Sequence, residues 1–458
     1  MMWKLAGAAL AAAAVLLAQT ASGPIPSTFF AMTSTKASDF PKVSIGTLGH
    51  PSSLAWQTVE QTQGVYKFDT FDSYVNDCLT HGLFTINGDG TKTVNMQLTL
   101  GTTPQWAASD QTSCTYKNNL WACTSPPSNF QDWTEFLTAL LNHYNGRTQP
   151  HMRYYELWNE FNASNYWTGT NADMLNLAKA AYPIVHADPY SMLLTPSVAG
   201  FFINSTTMNG ATYMANYLKA GGSQYADGGA WHGYIGNDKA NPFPWPEQDT
   251  TAGCSNNTGC FGSIITKATV IRQVFDANGL LGKPMYQTEG SWGIENITSS
   301  DDQIAWLARW YLLQAGLRIS LNLQLSSWFA WGGALYGNVE TATGDPTPAA
   351  LADTQVYQWL VGASINQPCS SASNSTWTCT LTRPNGYVGL AVWNTAGTKQ
   401  YTPGAGYTQY RDLAGDTVPI PAGGSVTIGA KPILVEGTGK LGPPGRPGRC
   451  PPRCPASR

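Results

Sequence analysis

Two glutamates in this chain have the type and placement of a reacting carboxylate pair. Glu160 lies in RYYELWNEFN and Glu289 in PMYQTEGSW. Each closes a short apolar run, so each falls where a strand gives way to a loop. In such a pair one carboxyl donates a proton to a leaving oxygen. The other attacks the carbon or activates water, and together they can split a glycosidic bond. Glu156, Trp158 and Glu160 share one alternation, which predicts that all three point to one side of the strand. Glu156 lies deeper and is expected to be a buried, hydrogen-bonded carboxylate rather than a reacting group.

Something must bring residues this far apart together. Eight short apolar segments read as strands: Phe29–Met32, Val43–Leu48, Val94–Leu100, Tyr154–Trp158, Met192–Pro196, Ala230–Ile235, Met285–Thr288 and Leu323–Ala330. Helical periodicity runs between them, over Ser128–Tyr144, Asn171–Ala187 with Asn171 as its cap, Ile264–Ala277 and Asp301–Ala315. Eight strand–helix repeats predict an α/β fold, a (β/α)8 TIM barrel, over residues 24–361. In that fold function collects at the C-terminal ends of the strands. Strands four and seven face each other across it, so Glu160 and Glu289 can meet over one bond. From residue 362 to 437 the texture changes to short alternating strands between Gly, Pro and Asn turns, which predicts a small C-terminal β-sandwich. No long linker separates the two parts. They are expected to pack tightly, with Trp359, Trp377 and Trp393 buried at the junction. Residues 438–458, rich in Pro, Arg and Gly, cannot bury a core and are expected to be disordered.

Composition narrows the partners. Only 12% of the 458 residues are charged and the net charge is −3, against about 25% charged in ordinary soluble domains. That argues against a nucleic-acid partner. The 17 Trp supply flat apolar rings of the kind that stack on sugars. Residues 1–23 carry Lys4, an apolar run from Leu5 to Ala18 and then small residues, the pattern of a signal peptide, so a secreted, extracellular or periplasmic protein is expected. Among the nine cysteines three pairs sit close in sequence: Cys114 with Cys123, Cys254 with Cys260, and Cys369 with Cys379. After a signal peptide they read as disulfides pinning polar loops, and Cys78 as a buried thiol. No metal-ligand spacing, nucleophile elbow, Walker loop or dinucleotide fingerprint occurs, and no cofactor, metal or membrane partner is expected. A monomer is expected.

The motifs in order resemble clan A of the retaining glycoside hydrolases, and several resemble glycoside hydrolase family 39, whose relatives include β-xylosidases and endo-glycosidases. They are AWQTVEQTQGVYKFDTFDSYVNDCLTHG, LTLGTTPQWAAS, YYELWNEFN, GGAWHGYIG, KPMYQTEGSW and SSWFAWGG. The likeness covers roughly residues 28 to 437. It implies Glu160 as acid/base, Glu289 as nucleophile and Asn159 as the contact to the hydroxyl beside the anomeric carbon. It implies that Tyr234 or His232 touches the nucleophile while the other touches sugar, and that Trp331 floors the central subsite. Trp106 and His50 are further groove candidates. GTLGHPSSLAW lacks the Arg that many clan members place nearby. The expectation is therefore a retaining hydrolase of a polysaccharide or oligosaccharide. The competing expectation is a carbohydrate-binding protein without catalysis, for which neither carboxylate nor Asn159 is needed.

Overall fold

The computed structural model describes residues 21–437 apart from 38, 52–53, 118–119, 201–208, 236–244, 249–262, 293–296, 298 and 334–335. The Cys254–Cys260 pair, most of the signal segment and the C-terminal tail lie outside the described residues. Eight parallel strands form the barrel: β1 (Phe30–Ser34), β2 (Thr47–Gly49), β3 (Lys92–Thr99), β4 (His151–Glu156), β5 (Met192–Leu194), β6 (Gly229–His232), β7 (Met285–Glu289) and β8 (Leu323–Trp331). Hydrogen-bonded neighbours run β6-β7-β8-β1-β2-β3-β4-β5. A parallel bridge between Leu194 and Gly228 joins β5 to the foot of β6 and closes the ring. All eight expected strands are present. The second is shorter than its apolar run suggests, because only Thr47–Gly49 finds partners.

Among the described residues seven helices of ten residues or more cover the outside: α1 (Asp69–Thr80), α2 (Phe130–His143), α3 (Asn171–Val185), α4 (Gly210–Lys219), α5 (Ile264–Ala277), α6 (Ser300–Leu317) and α7 (Pro348–Leu360), beside a single turn at Ala55–Val59. Among the described residues no helix separates β1 from β2, so one of the eight expected repeats is a plain loop. The cap of α3 is Thr170, not Asn171. Its hydroxyl accepts from the Asp173 N–H while the Asp173 carboxylate accepts from Thr170, a reciprocal box that leaves Asn171 inside the helix. Trp56, Trp133, Trp158, Trp306, Trp310 and Trp328 fill the layer between strands and helices. Trp158 was expected beside Glu156 on the inner side. Instead its ring lies in this outer layer, against Trp133 and Trp167. The strand ends at Glu156, and alternation no longer holds beyond it. A Cβ on Gly101, at the end of β3, would come within 1.9 Å of that indole, so glycine is what lets it pack there.

The C-terminal part follows directly from α7. A six-stranded antiparallel sheet carries Thr376–Thr382, Val388–Asn394 and Ile433–Glu436 at its centre, and a two-stranded sheet pairs Lys399–Tyr401 with Val426–Ile428. Alternate residues divide the labour of the large sheet. Val392, Ile433 and Val435 face the small sheet, while Ala391, Trp393 and Leu434 join the barrel core. Of the three tryptophans expected at the junction, Trp359 and Trp393 are fully buried, whereas Trp377 is only partly covered and stacks on Trp393. Arg309 of α6 crosses the seam, buried over the Trp245 ring and bonded to Glu247 and to the Ala430 carbonyl. Trp393 donates to the same Glu247 carboxylate. Ile25 also ties the chain start to this junction through Ala363 and Gly362. Cys114–Cys123 and Cys369–Cys379 are disulfides, and Cys78 is a buried free thiol whose pKa burial pushes up.

Candidate active site

The site is built where β2, β4, β6, β7 and β8 end on one face. Below it Glu156 sits inside the barrel, fully buried, accepting from Ser197, Gln97 and Thr99. Burial raises its pKa above the ordinary carboxylate range, although His232 and His50 pull the other way. Four residues on, Glu160 takes a backbone φ of 38°, in the left-handed region that a side chain normally avoids. The surrounding structure holds it there: the Glu160 N–H donates to the Ser197 hydroxyl at 3.1 Å. Such a conformation is disfavoured by about 1–3 kcal/mol and tends to occur where a side chain must be aimed.

Glu289 ends β7 and is surrounded by donors. The Tyr234 hydroxyl donates to its Oε1. His50 Nε2 lies 2.5 Å from its Oε2, and His232 Nδ1 lies 3.8 Å from the same oxygen. His50 Nδ1 is 2.9 Å from the Pro51 carbonyl, an acceptor only, so that nitrogen carries hydrogen. Burial works against charge on this ring, but Glu289 outweighs it and the His50 pKa rises. In their contact the Glu289 carboxylate thus favours the charged form of this ring. Burial would likewise raise the Glu289 pKa. The charges of His232 and His50, with the His50 and Tyr234 hydrogen bonds, reverse that and hold it below the usual carboxylate range. Tyr234 is itself fixed from behind, since Lys267 of α5 donates to its carbonyl at 2.5 Å.

His232, at the end of β6, links the two carboxylates. Its Nδ1 is 2.8 Å from Glu160 Oε1. Burial disfavours the imidazolium, yet Glu289, Glu160 and Glu156 together with that hydrogen bond raise its pKa to about 9. Ligand atoms of Glu160, His232 and Glu289 all lie within 4.8 Å of one another. Two carboxylates and a histidine this close have the donor set of a cation site as well, but here both carboxylates already have histidine partners. Asn159 Oδ1 and His232 Nε2 are buried without a hydrogen-bond partner, a state that native structures rarely leave uncompensated.

No protein-family model matches the sequence, and no curated protein matches it significantly. The fold, by contrast, has many solved counterparts. A monomeric β-xylosidase from Caulobacter crescentus superposes with a TM-score of 0.60 at 14% identity, covering 91% of this chain and 97% of that one. A GH39 enzyme from Xanthomonas axonopodis pv. citri gives 0.58 at 15% identity, over 91% and 95% of the two chains. A glycoside hydrolase family 30 subfamily 8 xylanase from Clostridium acetobutylicum gives 0.51 at 12% identity, over 91% and 97%. The chain therefore has the TIM barrel plus β-sandwich fold of these glycoside hydrolases, as the motifs led us to expect.

The expected groove residues divide. Glu160, Glu289, Asn159, His232, Tyr234 and His50 come together. Tyr234 is the one that bonds Glu289, while His232 bonds Glu160, lies 3.8 Å from Glu289 and is buried. His50, expected to line the groove, is a buried partner of Glu289. Trp331 does not floor the site: it is fully buried and its Nε1 donates to Asp39. The ring that β8 presents there is Phe329, partly open and 6.1 Å from His50 and 6.5 Å from Tyr234. Trp106 stands apart, half-buried, with its Nε1 donating to the Glu60 carbonyl. Sequence reasoning missed Phe329, Tyr166 and Tyr336. The last two lie close enough to Glu160 and Glu289 for the carboxylate charges to raise their pKa values. Tyr166 follows Glu160 by one turn of loop and Tyr336 follows β8, so proximity to the motifs was the available signal. Asn162, which opens an Asn-Ala-Ser sequence, is buried with its amide bonded both ways to the Ala199 backbone.

Proposed function

We propose that the chain is a secreted glycoside hydrolase that cleaves a polysaccharide or oligosaccharide by double displacement with retention of configuration. The observation that carries the proposal is the closeness of two carboxylates in unlike surroundings, with oxygens within 4.8 Å. Retaining enzymes hold their carboxyl groups about 5–5.5 Å apart, whereas inverting enzymes leave about 6.5–9.5 Å for a water. Glu289, held ionised by two histidines and a tyrosine, attacks the anomeric carbon. Glu160 gives a proton to the departing oxygen and then takes one from the water that releases the sugar. His232 Nδ1 shares a proton with Glu160 and can restock it. Asn159, with its unpaired Oδ1, meets the neighbouring hydroxyl, and Phe329, Tyr166 and Tyr336 wall the sugar. A merely binding protein would have no use for a carboxylate kept charged in a buried setting. The signal-like N-terminus and the two disulfides support export.

The test is a screen of 4-nitrophenyl glycosides and neutral plant polysaccharides, followed by proton NMR of the first product from the substrate that is cleaved. Retention of the anomer is expected. Inversion overturns the mechanism, and absence of any cleavage overturns the activity.

A further inference from the structure

We infer that the disulfide-closed hairpin after β3 is a second sugar-binding subsite, set apart from the carboxylates, for a neutral polysaccharide chain. This rests on the glycosidase proposal for the identity of the ligand, but on its own residues for the site. Strands Cys114–Lys117 and Leu120–Cys123 pair antiparallel, and Thr103–Pro104 adds a third strand against the second. The pairing puts Tyr116 directly opposite Trp121, so both rings project from one face, 5.2 Å apart. Tyr116 is 59% exposed and Trp121 42% exposed, whereas the other described tryptophans are buried or partly buried. Leaving an indole in water forgoes the stabilisation its burial would bring, and the disulfide between Cys114 and Cys123 closes the hairpin that displays it.

The same indole lines a cleft of about 290 Å³ with Gln61, Pro104, Gln105, Trp106 and Gln111. Trp106 is pinned by its Nε1 bond to Glu60, which holds its ring at the cleft wall. The lining thus consists of two indoles, a proline and three primary amides, with no charged group. Amides both donate and accept, as adjacent sugar hydroxyls require, and flat rings suit the C–H faces of a pyranose. An anionic polymer would find no cation here. The hairpin springs from the catalytic face, because it connects β3 to α2. Its root is tied to the segment that follows Glu160, since Thr168 N–H donates to the Thr124 carbonyl at 2.8 Å. A chain seated on Tyr116 and Trp121 therefore runs toward the β4 side of the carboxylate pair.

The test uses the full chain with Tyr116→Ala and Trp121→Ala together, both exposed, and a Trp121→Phe control. Native gels containing xylan, mixed-linkage β-glucan or mannan measure binding of the Glu289→Gln protein with and without these changes. Active forms are assayed on the same polymers and on 4-nitrophenyl glycosides. We expect at least one polymer to retard the parent and the double substitution to abolish the retardation. We expect kcat/KM on that polymer to fall about tenfold, the size of one lost stacking contact, with the aryl glycoside unchanged and Trp121→Phe near the parent. The inference fails if no polymer retards the parent, if retardation survives the double substitution, or if polymer and aryl activities fall together. Lost retardation in a protein that cleaves no glycoside would uphold the subsite and sink the glycosidase proposal instead.

Discussion

The ends of β4 and β7 present the same functional group and treat it differently. The side chains of Glu160 and Glu289 are 15% and 11% exposed. Burial hardly separates them, so desolvation cannot assign the roles. Their partners do. Glu289 has the Tyr234 hydroxyl and His50 Nε2 bonded to it, and His232 close by. Among the described contacts Glu160 has one side-chain partner, His232, and an unusual backbone that aims it. A carboxylate ringed by fixed donors keeps its charge. One that shares a proton with a titratable ring can pass that proton on. The comparison teaches that the division of labour in such a pair is written in neighbours, not in depth.

The sharpest way to break this contrast is to remove each carboxylate in turn. Glu289→Ala is expected to lower kcat by about four to six orders of magnitude for every leaving group, the cost of losing a nucleophile. Glu160→Ala is expected to cost about 10²–10⁴-fold on substrates whose leaving group needs a proton. It should spare glycosylation by 2,4-dinitrophenyl glycosides, and azide should restore their turnover as a retained glycosyl azide. Stopped-flow kinetics and product NMR read both. Exchange of the two patterns would mean that the roles are reversed.

A smaller effect tests the ring of donors itself. Tyr234→Phe deletes one bond to the Glu289 carboxylate and little volume. Hydrogen bonds to charged groups contribute about 1.5–3 kcal/mol, so kcat/KM should drop roughly 10–150-fold, with the acid limb of the pH profile moving up. An unmoved limb would show that the histidines alone hold Glu289 ionised. On the β4 side, the parent should lose activity as pH rises through about 9, where His232 gives up its proton. His232→Asn should remove the limb at that position, because the ring that gives up its proton there is gone. The sign for stability is the same. A pKa raised in the folded state stabilises fully below the ordinary histidine value, and this is lost as pH rises through about 9. Thermal melts from pH 6 to 10 should show that decline in the parent and a flatter curve in His232→Asn.

Much of this was legible from residue order, for reasons that also mark where legibility stops. The eight strands announced themselves because strands buried on both faces read as apolar runs, and the two glutamates could be placed because they close such runs. Alternation failed once the strand stopped. Trp158 left the inner side after Glu156, and on β8 it was Phe329 rather than Trp331 that stayed open to the site. His50 was taken for a groove residue because its partner lies 239 positions away, a contact that no local pattern encodes. Tyr116 and Trp121 were passed over because a disulfide loop reads as a staple, and the register that sets the rings side by side appears only in three dimensions.

Arg309 has a bearing on the history of this protein as well as on its packing. It lies wholly inside the seam, bonded to Glu247 of the barrel side and to the Ala430 carbonyl of the sandwich. The contact that would be lost across the seam is the charged hydrogen bond from Arg309 to Ala430, and hydrogen bonds to charged groups contribute about 1.5–3 kcal/mol, a sizeable part of the 5–15 kcal/mol that keeps a typical domain folded. A recombination event that exchanged the C-terminal module for a foreign one would remove Ala430 and Trp393 at a stroke and leave the Arg309–Glu247 pair facing an ill-fitting surface. Descendants of such an exchange would start near the edge of foldability. Exchange of the C-terminal module at the junction near residue 362 would therefore have to be accompanied by changes at Arg309 and Glu247.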